Sequence, residues 1–129
     1  MPTDTRRSTG IKGEDAAARF LTRSGFEIVD KNVRTRAGEI DLIARDGKTL
    51  VFVEVKSLRD VVVVEGDPPQ AAVNTRKQNR LGKLATGYLK SKRIRQTPCR
   101  FDVVSVIFNE EGAVKAIRHI PNAFSVGPW

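Results

Sequence analysis

A chain of 129 residues with 40% hydrophobic and 29% charged residues has the composition of one globular domain, and no apolar run approaches the roughly 20 residues of a membrane helix. Its first residues lack the hydrophobic segment of a signal peptide, and one cysteine with one histidine excludes an internal disulfide and a structural zinc cluster within the chain, so we expect a cytoplasmic protein. The net charge of +8 favours a polyanionic partner, because basic side chains bind phosphates and release their counterions.

The chain divides into three predicted segments. Residues 1–9 are polar and are predicted to form a flexible N-terminal arm. Residues 10–120 carry the alternating apolar patterns of helices and strands and are predicted to form a single domain. Residues 121–129 have too little pattern to assign and are treated as a C-terminal tail.

The first predicted helix covers residues 10–24. Its apolar residues recur at helical spacing: Ile11, Ala17, Ala18 and Leu21. Glu14 falls on the same stripe, where a carboxylate needs a partner; the alternative is a first-turn glutamate turned to solvent. An extended segment at residues 26–35 should then lead antiparallel into the next two strands.

The strongest local signal is a β-hairpin within residues 38–57. Two runs of alternating side chains flank Asp46 and Gly47, a dipeptide typical of a type I′ turn. With these two residues at the centre of the turn, Asp41 is predicted to lie opposite Phe52. One face of the hairpin is then predicted to be apolar, with Ile40, Leu42, Val51, Val53 and Val55.

The other face of this hairpin collects four charged side chains: Glu39, Asp41, Glu54 and Lys56. Carboxylates held on rigid strands can share Mg²⁺ or Mn²⁺, because hard cations bind oxygen ligands in fixed geometry. An ammonium two residues after Glu54 could then orient or deprotonate a water molecule. The alternative is a solvated face with cross-strand charge pairs, and spacing alone leaves both open.

A second helix is predicted at residues 75–90, capped by Asn74. Its apolar stripe is Leu81, Leu84, Ala85, Tyr88 and Leu89, and we assign Tyr88 to the core. The region from residue 75 to residue 100 contains no acidic residue, which predicts a phosphate-binding surface or, alternatively, only a soluble helix face. The predicted nucleic-acid contacts are Arg76, Lys77, Arg80 and Lys83. The alternative for Lys77 is a residue at the helix edge with its head group in water.

Two final strands are predicted at residues 101–108 and 113–120. The first is almost continuously apolar, which is typical of a strand covered on both faces and paired in parallel. We interpret Asp102 as a structural residue paired with Arg100, and His119 as a surface residue. The four valines at residues 61–64 could form an edge strand, a wall beside the substrate or a self-association patch.

Several of these segments together resemble the YraN-type family of bacterial proteins. They are Gly13-Glu14, residues 38–43, residues 51–56, Lys77 and residues 100–104. The resemblance covers about residues 10–120 and implies an α/β fold. The implied fold is a restriction endonuclease-like core of order α-β-β-β-α-β-β, with a mixed central sheet flanked by helices. This is the core of the Holliday-junction resolvases and other PD-(D/E)xK nucleases.

The resemblance also implies an activity and a site. It implies a metal-dependent endonuclease whose Mg²⁺ or Mn²⁺ ligands are Asp41, Glu54 and the Val55 carbonyl. Glu14 and Lys56 complete the implied catalytic set. DNA is expected as partner in preference to RNA, and a homodimer is expected because junction resolvases of this fold are dimers. One alternative is a non-catalytic module that binds DNA, RNA or a ribonucleoprotein, and another is a protein-interaction subunit.

Overall fold

The computed structural model of the protein describes residues 5–59 and 73–125, with side chains from residue 10 onward. Its elements are α1 (Thr5–Arg23), β1 (Glu27–Thr35), β2 (Gly38–Asp46), β3 (Thr49–Arg59), α2 (Thr75–Ser91), β4 (Cys99–Phe108) and β5 (Val114–Phe124). The predicted α/β class and order of elements are therefore confirmed. Within these ranges no helix is long and apolar enough to span a membrane.

All five strands form one mixed sheet in the order β1-β2-β3-β4-β5. Neighbouring strands are antiparallel except β3 and β4, which are parallel. A parallel pair needs a crossover connection, and α2 lies in the connection between these two strands. The parallel arrival of β4 after a helix is as predicted.

The two helices cover opposite faces of the sheet. Helix α1 packs through Ala17, Ala18 and Leu21 on a cluster that includes Val53 and Val104. Helix α2 contributes buried side chains to a second cluster, namely Leu81, Leu84, Ala85 and Tyr88. The Tyr88 ring meets the Phe52 ring edge-on, with 6.1 Å between centroids, which confirms Tyr88 as a core residue. The central strands are thus buried on both faces.

The turn between β2 and β3 differs from the predicted one. Asp46 pairs with Thr49, so Gly47 and Lys48 are the central residues and the predicted Asp46-Gly47 centre is wrong. Only Gly47 of these has a positive φ, at 60°, as a type II′ turn requires at its first central position. Asp41 consequently does not lie opposite Phe52.

The predicted apolar face of the hairpin is confirmed for Leu42, Val51, Val53 and Val55 but is wrong for Ile40. Ile40 belongs to the cluster beneath α2, whereas Leu42, Val51 and Val53 belong to the cluster beneath α1. Because each helix covers one face, apolar side chains are buried on both sides of β2 and β3.

Both ends of the domain extend further than predicted. Helix α1 begins at Thr5, so part of the segment predicted as a flexible arm is helical. Strand β5 continues to Phe124, which pairs with Phe101 of β4, so the first residues of the predicted tail belong to the sheet. The valines at residues 61–64 lie outside the described residues.

Asp102 organises a buried polar cluster between β4 and β5. Its carboxylate is fully buried and accepts hydrogen bonds from Arg100 Nε at 2.9 Å and from the Asn122 N–H at 2.9 Å. The predicted pairing with Arg100 is therefore confirmed. His119 Nε2 lies 2.8 Å from Asp102, and the ring packs edge-on against Phe20. Its side chain is only 16% exposed, so the prediction of a surface histidine is wrong.

Helix α1 crosses β3 at Gly13 with almost no space between the two elements. A Cβ atom on Gly13 would overlap the Oγ atom of Ser57 and lie 3.2 Å from the Ser57 Cβ atom. Glycine therefore allows the close approach that carries the next residue, Glu14, toward β2.

Gly13→Ala should lower the free energy of unfolding by about 1–3 kcal/mol, because the added methyl group overpacks the contact with Ser57. This loss is expected although alanine favours a helix over glycine by roughly 1 kcal/mol. Urea denaturation measures the difference.

The matched control is Gly87→Ala on α2, where an added Cβ meets no atom within 4 Å. That change should stabilise the protein by up to about 1 kcal/mol. In a Ser57→Gly background, Gly13→Ala should lose most of its cost. If Gly13→Ala stabilises the protein as much as Gly87→Ala does, α1 does not approach β3 this closely.

Candidate functional site

Three carboxylates converge where α1 meets β2. One oxygen from each of Glu14, Glu39 and Asp41 lies within 4.8 Å of the others, and all three residues are half-buried. Glu39 and Asp41 are two residues apart on β2, and one carboxylate oxygen of each reaches the same cluster. Glu14 arrives from α1 through the close contact at Gly13. These three oxygens could bind one hard divalent cation.

Asp41 is fixed in place by the backbone of β3. Its Oδ2 atom accepts a hydrogen bond from the Val55 N–H at 2.8 Å. The last regular pair of the β2–β3 ladder is Leu42 with Val53, so the Asp41 carboxylate serves as the acceptor just beyond it. Extending that register by one residue places Asp41 beside Glu54.

The carboxylate of Asp41 holds its proton unusually strongly. Its pKa is raised from 3.8 to about 7, chiefly by burial and then by the negative charge of Glu54. The Val55 N–H opposes this rise, while Glu14 and Glu39 add to it. A proton or a cation at Asp41 therefore relieves the repulsion among these carboxylates.

Glu14 faces the site, as predicted, and does not point into solvent. Burial is the main cause that raises its pKa, followed by the charge of Glu39. A hydrogen bond with the Asn32 side chain and the charge of Arg34 lower the pKa in part. Arg34 also pairs with Glu39, with 3.7 Å between Nε and Oε2. Strand β1 thus contributes the polar groups on the outer side of the cluster.

Glu54 is held by a lysine of α2. Its side chain is only 7% exposed and forms an ion pair with the ammonium of Lys77. The cap of α2 fixes the backbone there, because the Asn74 side chain accepts a hydrogen bond from the Lys77 N–H at 2.9 Å. Lys77 therefore points toward the carboxylates and does not reach freely into water. The cluster of three oxygens does not include Glu54.

Lys56 lies two residues after Glu54 on the same side of β3 and is half-buried. Within residues 10–59 and 73–125, its ammonium has no ion pair or hydrogen bond. Arg76, Arg80 and Lys83 are exposed on α2. The aliphatic part of Arg80 lies over Gly38, where an added Cβ would be 3.4 Å from the Arg80 Cδ atom. Arg80 thus lies against the residue that precedes Glu39, a member of the acidic cluster.

Glu39 is the site residue that our sequence analysis missed. It was placed on the charged face of the hairpin but not among the ligands, although it lies two residues before Asp41 on an alternating strand. Val55 is brought to the site through its N–H group. Its carbonyl as a metal ligand remains a prediction.

Asp41→Asn should stabilise the metal-free protein at and above pH 7 and have little effect near pH 4. The folded protein keeps the Asp41 proton up to about pH 7, whereas the unfolded chain releases it near 3.8, so stability falls as pH rises through this window. At about 1.4 kcal/mol per pH unit, the gain is up to about 4 kcal/mol. Urea unfolding in EDTA at a series of pH values measures it.

Glu110→Gln provides the control, since Glu110 is exposed in the turn between β4 and β5. It should leave the pH profile of stability unchanged. Identical profiles for the two variants would contradict the raised pKa of Asp41.

Comparison with known proteins supports one conclusion about relationship. The model of the uncharacterised protein family UPF0102 matches residues 13–106. A UPF0102 protein of Geobacter metallireducens is 44% identical over 120 residues, which is 93% of this chain and 94% of the relative. UPF0102 protein STH1475 of Symbiobacterium thermophilum is 50% identical over 118 residues, covering 92% of this chain and 97% of the relative. The family resemblance predicted from the motifs is confirmed, and the chain belongs to the UPF0102 family.

Proposed function

We propose that the protein binds nucleic acid and hydrolyses phosphodiester bonds with a divalent metal ion, in the manner of the PD-(D/E)xK nucleases. The observation that carries the proposal is the carboxylate cluster around Asp41. Glu14, Glu39 and Asp41 present oxygens within 4.8 Å of one another, beside the buried Glu54. A bound divalent cation would explain such a concentration of acid groups in a basic protein.

The donor set fits Mg²⁺ or Mn²⁺. All the side-chain donors are carboxylate oxygens, which these hard ions prefer, and two of them come from one rigid strand. Glu14, Glu39 and Asp41 are the proposed ligands, with Glu54 and the Val55 carbonyl completing the set that the family resemblance implies. The bound ion would supply Lewis-acid polarisation of a phosphate oxygen and a water of lowered pKa.

Lys56 has the role of orienting or deprotonating the attacking water. It lies two residues beyond Glu54 on the same side of β3, and its ammonium has no partner among residues 10–59 and 73–125. A half-buried lysine beside carboxylates can hold a water by hydrogen bonding. The Val55 N–H of the same strand holds the Asp41 carboxylate. Strand β3 therefore positions both the Lys56 ammonium and Asp41.

The basic surface of α2 is the proposed site of phosphate contacts. Arg76, Arg80 and Lys83 are exposed, and the stem of Arg80 lies over Gly38, next to Glu39. A nucleic-acid backbone held by these side chains would pass beside the carboxylates. Sequence-independent phosphate contacts of this kind supply most of the affinity of non-specific binding.

A second function is favoured by one contact. The ion pair between Glu54 and Lys77 neutralises a carboxylate that the nuclease arrangement assigns to the metal. A module that only binds DNA, RNA or a ribonucleoprotein would use the same basic surface and keep this pair as a structural contact. The two functions differ in whether Asp41, Glu54 and Lys56 act together in a reaction.

Cleavage of labelled substrates separates these functions. The wild type should cut at least one of single-stranded, duplex, flap or four-way-junction DNA, or structured RNA, in Mg²⁺ or Mn²⁺ but not in EDTA. Asp41→Asn, Glu54→Gln and Lys56→Ala should each reduce the rate by roughly a hundredfold or more while binding persists, because metal binding and water orientation act as a unit.

The controls are Glu110→Gln and Lys48→Ala. Each removes one exposed charge from a turn, and neither residue belongs to the cluster. Both should keep the wild-type rate. Absence of cutting by the wild type with either metal, or cutting that survives Glu54→Gln, would leave the binding module as the function.

A further inference from the structure

Glu54 lies beside the carboxylate cluster but is not part of it. The β2–β3 register places it next to Asp41, and its charge is the second largest cause of the raised pKa of Asp41. Its own carboxylate is nevertheless bound by the ammonium of Lys77. Lys77 therefore forms an ion pair with the carboxylate that lies beside Asp41 on the neighbouring strand.

The two side chains of this ion pair differ in their exposure to solvent. Glu54 is 7% exposed in the middle of β3, whereas the Lys77 side chain is 38% exposed in the first turn of α2. A buried carboxylate charge without a partner is costly, and the ammonium of Lys77 balances the charge of Glu54. Lysine has a flexible four-carbon stem and a strongly hydrated head group, and Lys77 can therefore leave for water more easily than Glu54 can move.

We propose that Lys77 is an exchangeable counter-ion of Glu54, which a divalent cation bound at Glu14, Glu39 and Asp41 displaces. In the metal-free protein the ammonium balances the buried carboxylate. When a cation enters, the ammonium and the ion compete for Glu54, since both are positive and the extended β2–β3 register places Glu54 beside Asp41. Lys77 thus weakens metal binding while keeping Glu54 in position.

This inference rests on the proposed function for the identity of the ion, but not on cleavage. It makes Lys77 a positioning residue that acts through Glu54. A merely structural role has the opposite consequence: if Lys77 only orients Glu54 as a ligand, its removal must weaken metal binding. The direction of the change in affinity therefore distinguishes the two roles.

The test is titration of the full chain with Mn²⁺ in the absence of nucleic acid. Binding is measured by calorimetry and by the electron paramagnetic resonance signal of free Mn²⁺. Lys77→Gln should bind Mn²⁺ about tenfold more tightly than the wild type, a difference of about 1.4 kcal/mol. Lys77→Arg keeps a cation against Glu54 and should bind like the wild type. If the wild type binds too weakly to measure, Lys77→Gln must show measurable binding.

Lys90→Gln is the matched control, because it removes one exposed charge from the last turn of the same helix without removing a Glu54 contact. It should change the affinity less than about twofold, as expected for an exposed charge screened by salt. In a Glu54→Gln background, Lys77→Gln should have no larger effect than Lys90→Gln. An unchanged or weaker affinity of Lys77→Gln would overturn the proposal. Absence of cleavage activity would not overturn the proposal, because the titration contains no nucleic acid and measures metal binding alone.

Discussion

The hydrogen bond from the Val55 N–H to Asp41 is the contact on which the rest of the site depends. It forms where the regular pairing of β2 with β3 ends, so a side chain takes the place of a backbone acceptor. A carboxylate in that position satisfies a half-buried N–H and is itself held rigidly. The cost is a negative charge that burial and its neighbours disfavour, as the pKa of about 7 shows.

Other parts of the fold are arranged around that charge. Gly13 allows α1 to approach β3 so closely that Glu14 reaches the cluster. On the opposite face, the capped first turn of α2 places Lys77 against Glu54. Carboxylates thus gather from one helix and two strands, while a cation comes from the other helix. This pattern is destabilising in an empty site unless a proton, a lysine or a metal ion balances it, and we propose that these three alternate.

The secondary structure was largely predictable because helix caps and apolar patterns are local features of the sequence. Asn74 caps α2 as its position before the apolar stripe indicated, and the continuous apolar run of β4 is buried on both faces. The turn of the hairpin was not predictable to one residue. Asp-Gly favours a type I′ turn in isolation, but the chain forms its turn at Gly47 and Lys48 instead. Both registers keep each side chain of the hairpin on the same face of the sheet, so the alternating pattern does not distinguish them.

The site was predictable in its residues more than in its contacts. Asp41 and Glu14 were found from spacing and motif, but Glu39 was not, because its proximity to Glu14 depends on how closely α1 packs. His119 was misjudged for a similar reason: its partner Asp102 lies on a neighbouring strand, and no local pattern reports that pairing. Contacts between distant elements are decided by packing, which one sequence shows only indirectly.

The most direct test of a cation site around Asp41 is anomalous diffraction from crystals soaked in Mn²⁺. We expect one strong peak within coordination distance, about 2.0–2.6 Å, of carboxylate oxygens from Glu14, Glu39 and Asp41. The Asp41→Asn protein, treated in the same way, should lose that peak. A wild-type map without a peak at these three carboxylates, at a Mn²⁺ concentration that occupies other acidic sites, would show that they do not form a cation site.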